Sequence, residues 1–136
     1  MVEKICDDKD VVLVVDDEEM MEEMIERMVY KHGCAHISFD DPLNALRYFR
    51  ENAQRVTILI TDLTMPSISG AGLIKEVAQI NPKLPIILVT GYDGEHVPDD
   101  IMPLVRHIVP KPFTTPELID ALRVELVRTG HKHLPV

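Results

Sequence analysis

The sequence predicts an α/β fold, a five-stranded parallel β-sheet with helices on both faces. Apolar β-branched runs and helical patterns alternate about five times along the chain, which is typical of parallel sheets built from β-α-β units. The chain has 136 residues, of which 46% are hydrophobic, enough for one domain with a real core. This composition excludes disorder as the main state.

The first half of the chain predicts two strand-helix units. Residues 11–15 form a continuous apolar run, typical of a strand buried on both faces. We expect a helix from Glu18 to His32, where apolar residues recur at helical spacing. A short strand at His36 to Phe39 follows, and Asp41 is expected to cap a second helix that runs from Pro42 to about Asn52.

The second half predicts three further strands. These are expected at Val56 to Thr61, Leu84 to Thr90 and His107 to Val109. Helices are expected from about Gly70 to Ile80 and from Thr115 to about Thr129. The predicted domain therefore covers residues 10–129, between an N-terminal extension at 1–9 and a C-terminal tail at 130–136.

The segment between the fourth and fifth strands predicts a weak helix. Pro98 is acceptable in a first turn, whereas Pro103 inside a regular helix would cost roughly 3 kcal/mol. We expect this helix to be short, shifted or partly melted, and to span little more than Pro98 to Val105.

Charge and composition exclude several classes of function. The formal net charge is −9, so the surface should repel phosphate backbones and attract divalent cations or a basic partner. We expect no direct nucleic-acid binding, and the short apolar runs predict no membrane span or signal peptide. The two cysteines, Cys6 and Cys34, are expected to be reduced thiols of a cytoplasmic protein.

Polar side chains follow four of the predicted strands. They are the pair Asp16 and Asp17, then Asp62, Thr90 and Lys111. The carboxyl ends of parallel strands meet at one edge of a sheet, where ligands bind. Clustered carboxylates repel one another, and Mg²⁺ resolves that conflict with oxygen ligands. Together with a lysine and a hydroxyl, this set predicts a phosphoryl-transfer site.

Four motifs resemble those of the receiver domain of two-component response regulators. They are Val-Val-Asp-Asp-Glu-Glu (14–19), Thr-Asp-Leu-Thr-Met-Pro-Ser-Ile-Ser-Gly (61–70), Val-Thr-Gly (89–91) and Pro-Lys-Pro-Phe (110–113). The match covers about residues 10–129 in the right order. It implies a flavodoxin-like (βα)₅ fold with strand order 2-1-3-4-5. The segments around 62 and 90 look most like receivers attached to hybrid sensor histidine kinases.

The resemblance implies a role for each site residue. Asp62 would accept a phosphoryl group from the phosphohistidine of a sensor histidine kinase or histidine phosphotransfer domain. Mg²⁺, or Mn²⁺ in its place, would be held by Asp17 and Asp62 directly, by Asp16 mainly through water, and by the backbone carbonyl of Thr64. Thr90 and Lys111 would bind the phosphoryl group. The peptide bond before Pro112 would be cis.

Such a domain would catalyse only its own phosphorylation and dephosphorylation, and would be a monomer or weak dimer. The sequence departs from the family at Ile108, where many receivers carry a switch aromatic. Two alternatives remain open, a pseudo-receiver binding module and a phosphatase of the haloacid-dehalogenase type. The phosphatase would need a second carboxylate where Thr64 stands, and a pseudo-receiver would not need to retain all five site residues.

Overall fold

The computed structural model describes residues 3–63, 69–91 and 97–129. Within these ranges the elements follow the predicted order along the chain. They are β1 (Val11–Val15), α1 (Glu19–Lys31), β2 (Ala35–Phe39), α2 (Pro42–Asn52), β3 (Ile58–Asp62), α3 (Gly70–Ile80), β4 (Ile86–Thr90), β5 (His107–Pro110) and α4 (Thr115–Arg128). Short 3₁₀-helices lie at Ala53–Arg55 and Met102–Leu104.

The five strands form one sheet in the order β2-β1-β3-β4-β5, and each neighbouring pair is parallel. This confirms the predicted flavodoxin-like fold. The central strands β3 and β4 are buried along their whole length, which explains why their sequences are aliphatic up to the polar residues at their carboxyl ends. All five carboxyl ends point to the same edge of the sheet.

Alternate residues of β1, β3 and β4 point to two separate hydrophobic cores. Val12 and Val14 of β1 pack on the face that α1 and α4 cover, together with Ile25 and Leu122. The other core lies under α2 and α3, whose buried residues share it with the opposite set of strand residues, Leu13, Val15, Leu59, Ile86 and Leu88. The helices therefore cover both faces, as predicted.

Side chains directly before α2 and α4 cap the first turns of these helices. The Asp41 side chain accepts a hydrogen bond from the backbone N–H of Leu43 at 2.9 Å, and Pro42 takes the first helical position. Thr114 caps α4 by accepting from the N–H of Glu117. Among the described residues, no helix is both long and apolar enough to cross a membrane.

The described part of the connection between β4 and β5 contains no α-helix. Residues 99–101 form a turn, and the 3₁₀-helix at Met102–Leu104 follows with Pro103 in its first turn. Ile101 is fully buried in the core under α2 and α3, so it anchors this segment. The expected short element is thus observed here, while residues 92–96 lie outside the described residues.

The two cysteines form a disulfide bond, so the prediction of reduced thiols is wrong in this structure. The N-terminal segment returns to the start of β2, where the N–H of Ile5 donates to the carbonyl of His32 at 2.8 Å. This brings the Cα atoms of Cys6 and Cys34 to 5.0 Å, although 28 residues separate them in sequence. Ile5 and Cys6 are fully buried in the core beneath α1.

Candidate functional site

Three carboxylates meet at the carboxyl edge of the sheet. Asp16 and Asp17 directly follow β1, and Asp62 is the last residue of the neighbouring strand β3. One oxygen from each lies within 4.8 Å of the others, so a single cation could contact all three. Asp16 and Asp62 are buried, whereas Asp17 is exposed. The site is therefore partly buried, and Asp17 is its exposed member.

Lys111 brings a positive charge to this acidic cluster. It follows β5, and its side chain reaches across the sheet edge until the ammonium lies 3.4 Å from Asp62 Oδ2 and 3.6 Å from Asp16 Oδ2. The lysine side chain is only 2% exposed. Solvent screens buried charges weakly, so the Coulomb attraction across these contacts is stronger than in surface ion pairs.

The backbone around Lys111 fixes its position. Its N–H donates to the carbonyl of Thr90 at 2.9 Å, and the Lys111–Pro112 peptide bond is cis. Thr90 ends β4 and is buried beside the site. The predicted residues Asp16, Asp17, Asp62, Thr90 and Lys111 therefore lie at one edge of the sheet.

The sequence analysis also singled out Thr64 and Ile108. Thr64, whose carbonyl the sequence suggests as a metal ligand, lies outside the described residues. Ile108 is in the middle of β5, and its side chain is 40% exposed. At this position an aliphatic side chain faces solvent, where many receivers carry an aromatic.

Burial dominates the electrostatics of Asp16. Removal from water raises its pKa from 3.8 to about 6, against the opposing effects of the hydrogen bond from the Glu18 N–H and of the Lys111 charge. Charge repulsion from Asp62 and Glu18 makes a smaller contribution to the same rise. Among the described residues, the Oδ2 atom of Asp16 has no hydrogen-bond donor. The Lys111 ammonium, 3.6 Å from the same oxygen, therefore compensates this charge only in part.

The surroundings of Lys111 stabilise its charged form. Burial alone would lower its pKa, but the carboxylates of Asp16, Asp62 and Glu18 outweigh that effect and raise the pKa above its ordinary value. The lysine therefore stays charged at neutral pH. A permanent positive charge next to Asp62 favours the binding of an anionic ligand beside this carboxylate.

The structure adds three contributions that the sequence analysis did not assign. The half-exposed Glu18 places its carboxylate 3.4 Å from the Lys111 ammonium. The backbone N–H of Leu63 donates to Asp62 Oδ1 at 2.7 Å and so orients that carboxylate. Glu18 lies within the motif at 14–19, so its position in the sequence could have suggested a role. The N–H of Leu63 could not be found in this way, because a backbone N–H does not depend on the residue type.

Gly70 is the third addition. A Cβ at this position would collide with the carbonyl oxygen of Asp62, and it would come within 2.7 Å of the Cα of Leu63. The Gly70 N–H also donates to the Leu63 carbonyl at 2.7 Å. The start of α3 therefore packs directly on the backbone of the Asp62 turn, which only glycine allows.

Comparison with known proteins gives a consistent result. A family model described as the response regulator receiver domain matches residues 12–123. The probable transcriptional regulatory protein TcrX of Mycobacterium tuberculosis is 34% identical over 88% of this chain, which spans 50% of TcrX. The response regulator receiver protein CpdR of Brucella abortus is 26% identical over 85% of this chain and 96% of its own length.

Other matches place similar sequences in larger proteins. The autoinducer 1 sensor kinase/phosphatase LuxN of Vibrio harveyi is 28% identical over 82% of this chain, which spans 12% of LuxN. The crystal structure of a response regulator receiver domain protein from Clostridium thermocellum superposes with a TM-score of 0.80. It is 26% identical over 88% of this chain and 96% of that one.

Proposed function

This chain belongs to the response regulator receiver family of two-component systems, and from that premise we propose that Asp62 is its phosphoacceptor. The donor would be the phosphohistidine of a sensor histidine kinase or of a histidine phosphotransfer domain. One observation carries the assignment: of the two buried carboxylates in the acidic cluster, Asp62 is the one that accepts a hydrogen bond from the Lys111 ammonium, at 3.4 Å. Asp16 lies deeper in the site, and Asp17 is exposed and remains available to a cation.

The residues present fit a divalent cation. All three side-chain donors are carboxylate oxygens, the ligands that Mg²⁺ and Mn²⁺ accept, and the Asp16 Oδ2 atom has no donor among the described residues. Asp16, Asp17 and Asp62 would hold the ion, with the Thr64 carbonyl as a further ligand. When bound, it would neutralise charge on the phosphoryl oxygens.

Groups of the protein itself make the other contributions to phosphoryl transfer. The N–H of Leu63 holds Asp62 Oδ1, which fixes the plane of the carboxylate. A carboxylate oxygen of Asp62 forms the new bond to phosphorus while the P–N bond to the donor imidazole breaks and the imidazole recovers a proton. Lys111 stabilises the equatorial oxygens, and the Thr90 hydroxyl donates to the transferred group.

We propose that this chemistry acts on the chain itself, so that the protein switches partners and is not a turnover enzyme. The chain spans about half of TcrX and a small part of LuxN, so the output of any longer protein is also a proposal. The net charge of −9 argues against direct nucleic-acid binding by the receiver portion. We place the receiver in the cytoplasm, as a monomer or weak dimer.

Phosphorylation can be tested by intact mass spectrometry. The protein would be incubated with Mg²⁺ and a small acyl phosphate, and we expect one phosphoryl adduct that Asp62→Asn abolishes. Asp8→Asn is a matched control, because Asp8 is a fully exposed carboxylate away from the site. An adduct of normal yield on Asp62→Asn would refute the assignment.

The same experiment separates the alternatives. Rapid release of inorganic phosphate with many turnovers would indicate a phosphatase of the haloacid-dehalogenase type. No adduct and no release would indicate a pseudo-receiver. EDTA should suppress adduct formation, and unchanged labelling in EDTA would contradict the role of the cation.

A further inference from the structure

A second cavity lies at the opposite edge of the sheet from Asp62. Its volume is about 500 Å³, within the usual range for small-molecule sites. Leu84 and Pro85, which precede β4, line it together with Arg106, which precedes β5. The cavity is thus at the amino ends of the strands, a full strand length from the phosphoacceptor.

Glu125 of α4 is a buried carboxylate in the wall of this cavity. The residue is 1% exposed, and its Oε2 atom lies 2.8 Å from Nε2 of His107. The other oxygen, Oε1, has no hydrogen-bond partner among the described residues. A buried carboxylate oxygen without a donor is costly. The position therefore favours a ligand that brings an N–H or O–H group.

Cationic side chains surround this carboxylate. Arg128 lies 3.7 Å from Oε2 and Arg106 lies 4.0 Å from Oε1, both longer than a hydrogen bond, and Lys83 lines the same cavity. Three cations thus line one cavity in a chain whose net charge is −9. Guanidinium groups bind phosphate through paired N–H donors. This end of the cavity favours an anionic group, most simply a phosphate.

Apolar side chains complete the wall. Leu84 and Val56 are nearly fully buried and line the cavity together with Pro85. A surface of this kind suits a flat heterocycle. The three features together describe a ligand with an apolar ring, N–H donors on one edge and a phosphate.

We propose that this cavity binds a nucleoside phosphate whose base offers N–H donors to Glu125. Guanine fits this requirement, because its N1–H and its exocyclic amino group lie side by side on one edge. Adenine has no N–H at ring position 1, so it should match a carboxylate less well. The site is separate from Asp62 and does not depend on the proposed phosphorylation.

Isothermal titration calorimetry of the full chain would test the proposal with GMP, AMP, guanosine and inorganic phosphate as probes. We expect GMP to bind about tenfold more tightly than AMP, from one additional hydrogen bond to a charged acceptor. Guanosine and phosphate alone should each bind more weakly than GMP. Equal affinity for GMP and phosphate would show binding of the anion only, and the absence of GMP binding would equally overturn the proposal.

Variants locate the binding site. Arg128→Gln should weaken GMP binding about tenfold, because it removes a charged phosphate donor. Glu125→Gln should reduce the preference for GMP over AMP. Arg123→Gln is the matched control on the same helix, since Arg123 pairs with Glu3 and Asp120 and does not line the cavity. Equal loss with Arg123→Gln and Arg128→Gln would refute this location, as would unchanged GMP affinity with Arg128→Gln.

Discussion

Replacing Asp16 by Asn should stabilise the metal-free protein. The carboxylate is almost fully buried, its Oδ2 atom has no donor among the described residues, and burial is the main cause of its raised pKa. Asparagine has nearly the same shape, and its carbonyl can still accept the 2.9 Å hydrogen bond from the N–H of Glu18. The substitution removes a charge whose desolvation outweighs its attraction to the Lys111 ammonium, with little change in packing.

The pKa shift sets the size and sign of the effect. In the wild type the pKa of Asp16 is about 6 in the folded state, against 3.8 as the ordinary value. The folded state therefore holds the proton more tightly, and the free energy of unfolding falls as pH rises from about 4 to about 6. This shift corresponds to at most about 3 kcal/mol above pH 6. We expect Asp16→Asn to be more stable by about 2 kcal/mol at pH 7.5, and equally stable at pH 4.

Urea denaturation in EDTA, measured from pH 4 to pH 8, would provide the test. The wild type should lose stability across this range, whereas the variant should lack that component. Asp17→Asn is the matched control, because it removes the same charge from an exposed neighbour. Parallel pH profiles for wild type and Asp16→Asn, or a less stable variant at pH 7.5, would refute the reasoning. Adding Mg²⁺ should reverse the order, because the wild type gains more from the cation.

Three further predictions follow from particular contacts. Gly70→Ala should lower the free energy of unfolding by about 2 kcal/mol or more and reduce the yield of phosphoryl adduct, because the added Cβ collides with the Asp62 carbonyl. Reducing the Cys6–Cys34 disulfide should lower the melting temperature, with a loss of about 3.5 kcal/mol from a closed loop of this length. Amide exchange at Met102 and Leu104 should be fast before phosphorylation, because their N–H groups make isolated turn hydrogen bonds that can open locally, outside any α-helix or strand.

Each of these predictions has its own control. Ser69→Ala removes the cap of α3 without a collision and should cost only about 1 kcal/mol. Cys6→Ser should melt at the same temperature with and without reductant, and a wild type indifferent to reductant would contradict a stabilising bond. Slow exchange at Met102–Leu104, equal to that of α3, would contradict the assignment of a weak segment.

The sequence by itself determined the sheet and most of the candidate site. Apolar runs in the sequence identified the strands, and a polar residue follows several of them. Parallel strands end at one edge, so Asp16, Asp62 and Lys111 had to meet there whatever the details of packing. The capping residues Asp41 and Ser69 act within a few positions of themselves, which is why the helix starts were also predictable.

Only the tertiary structure decided what depends on contacts between distant parts of the chain. The disulfide joins Cys6 to Cys34 because the N-terminal segment returns to β2, and no local sequence pattern predicts that return. In sequence, Glu125 is an ordinary charged residue of an amphipathic helix. Docking of α4 against the sheet buries it beside His107. The raised pKa of Asp16 has the same origin, because desolvation is a property of the packed surroundings and not of the residue.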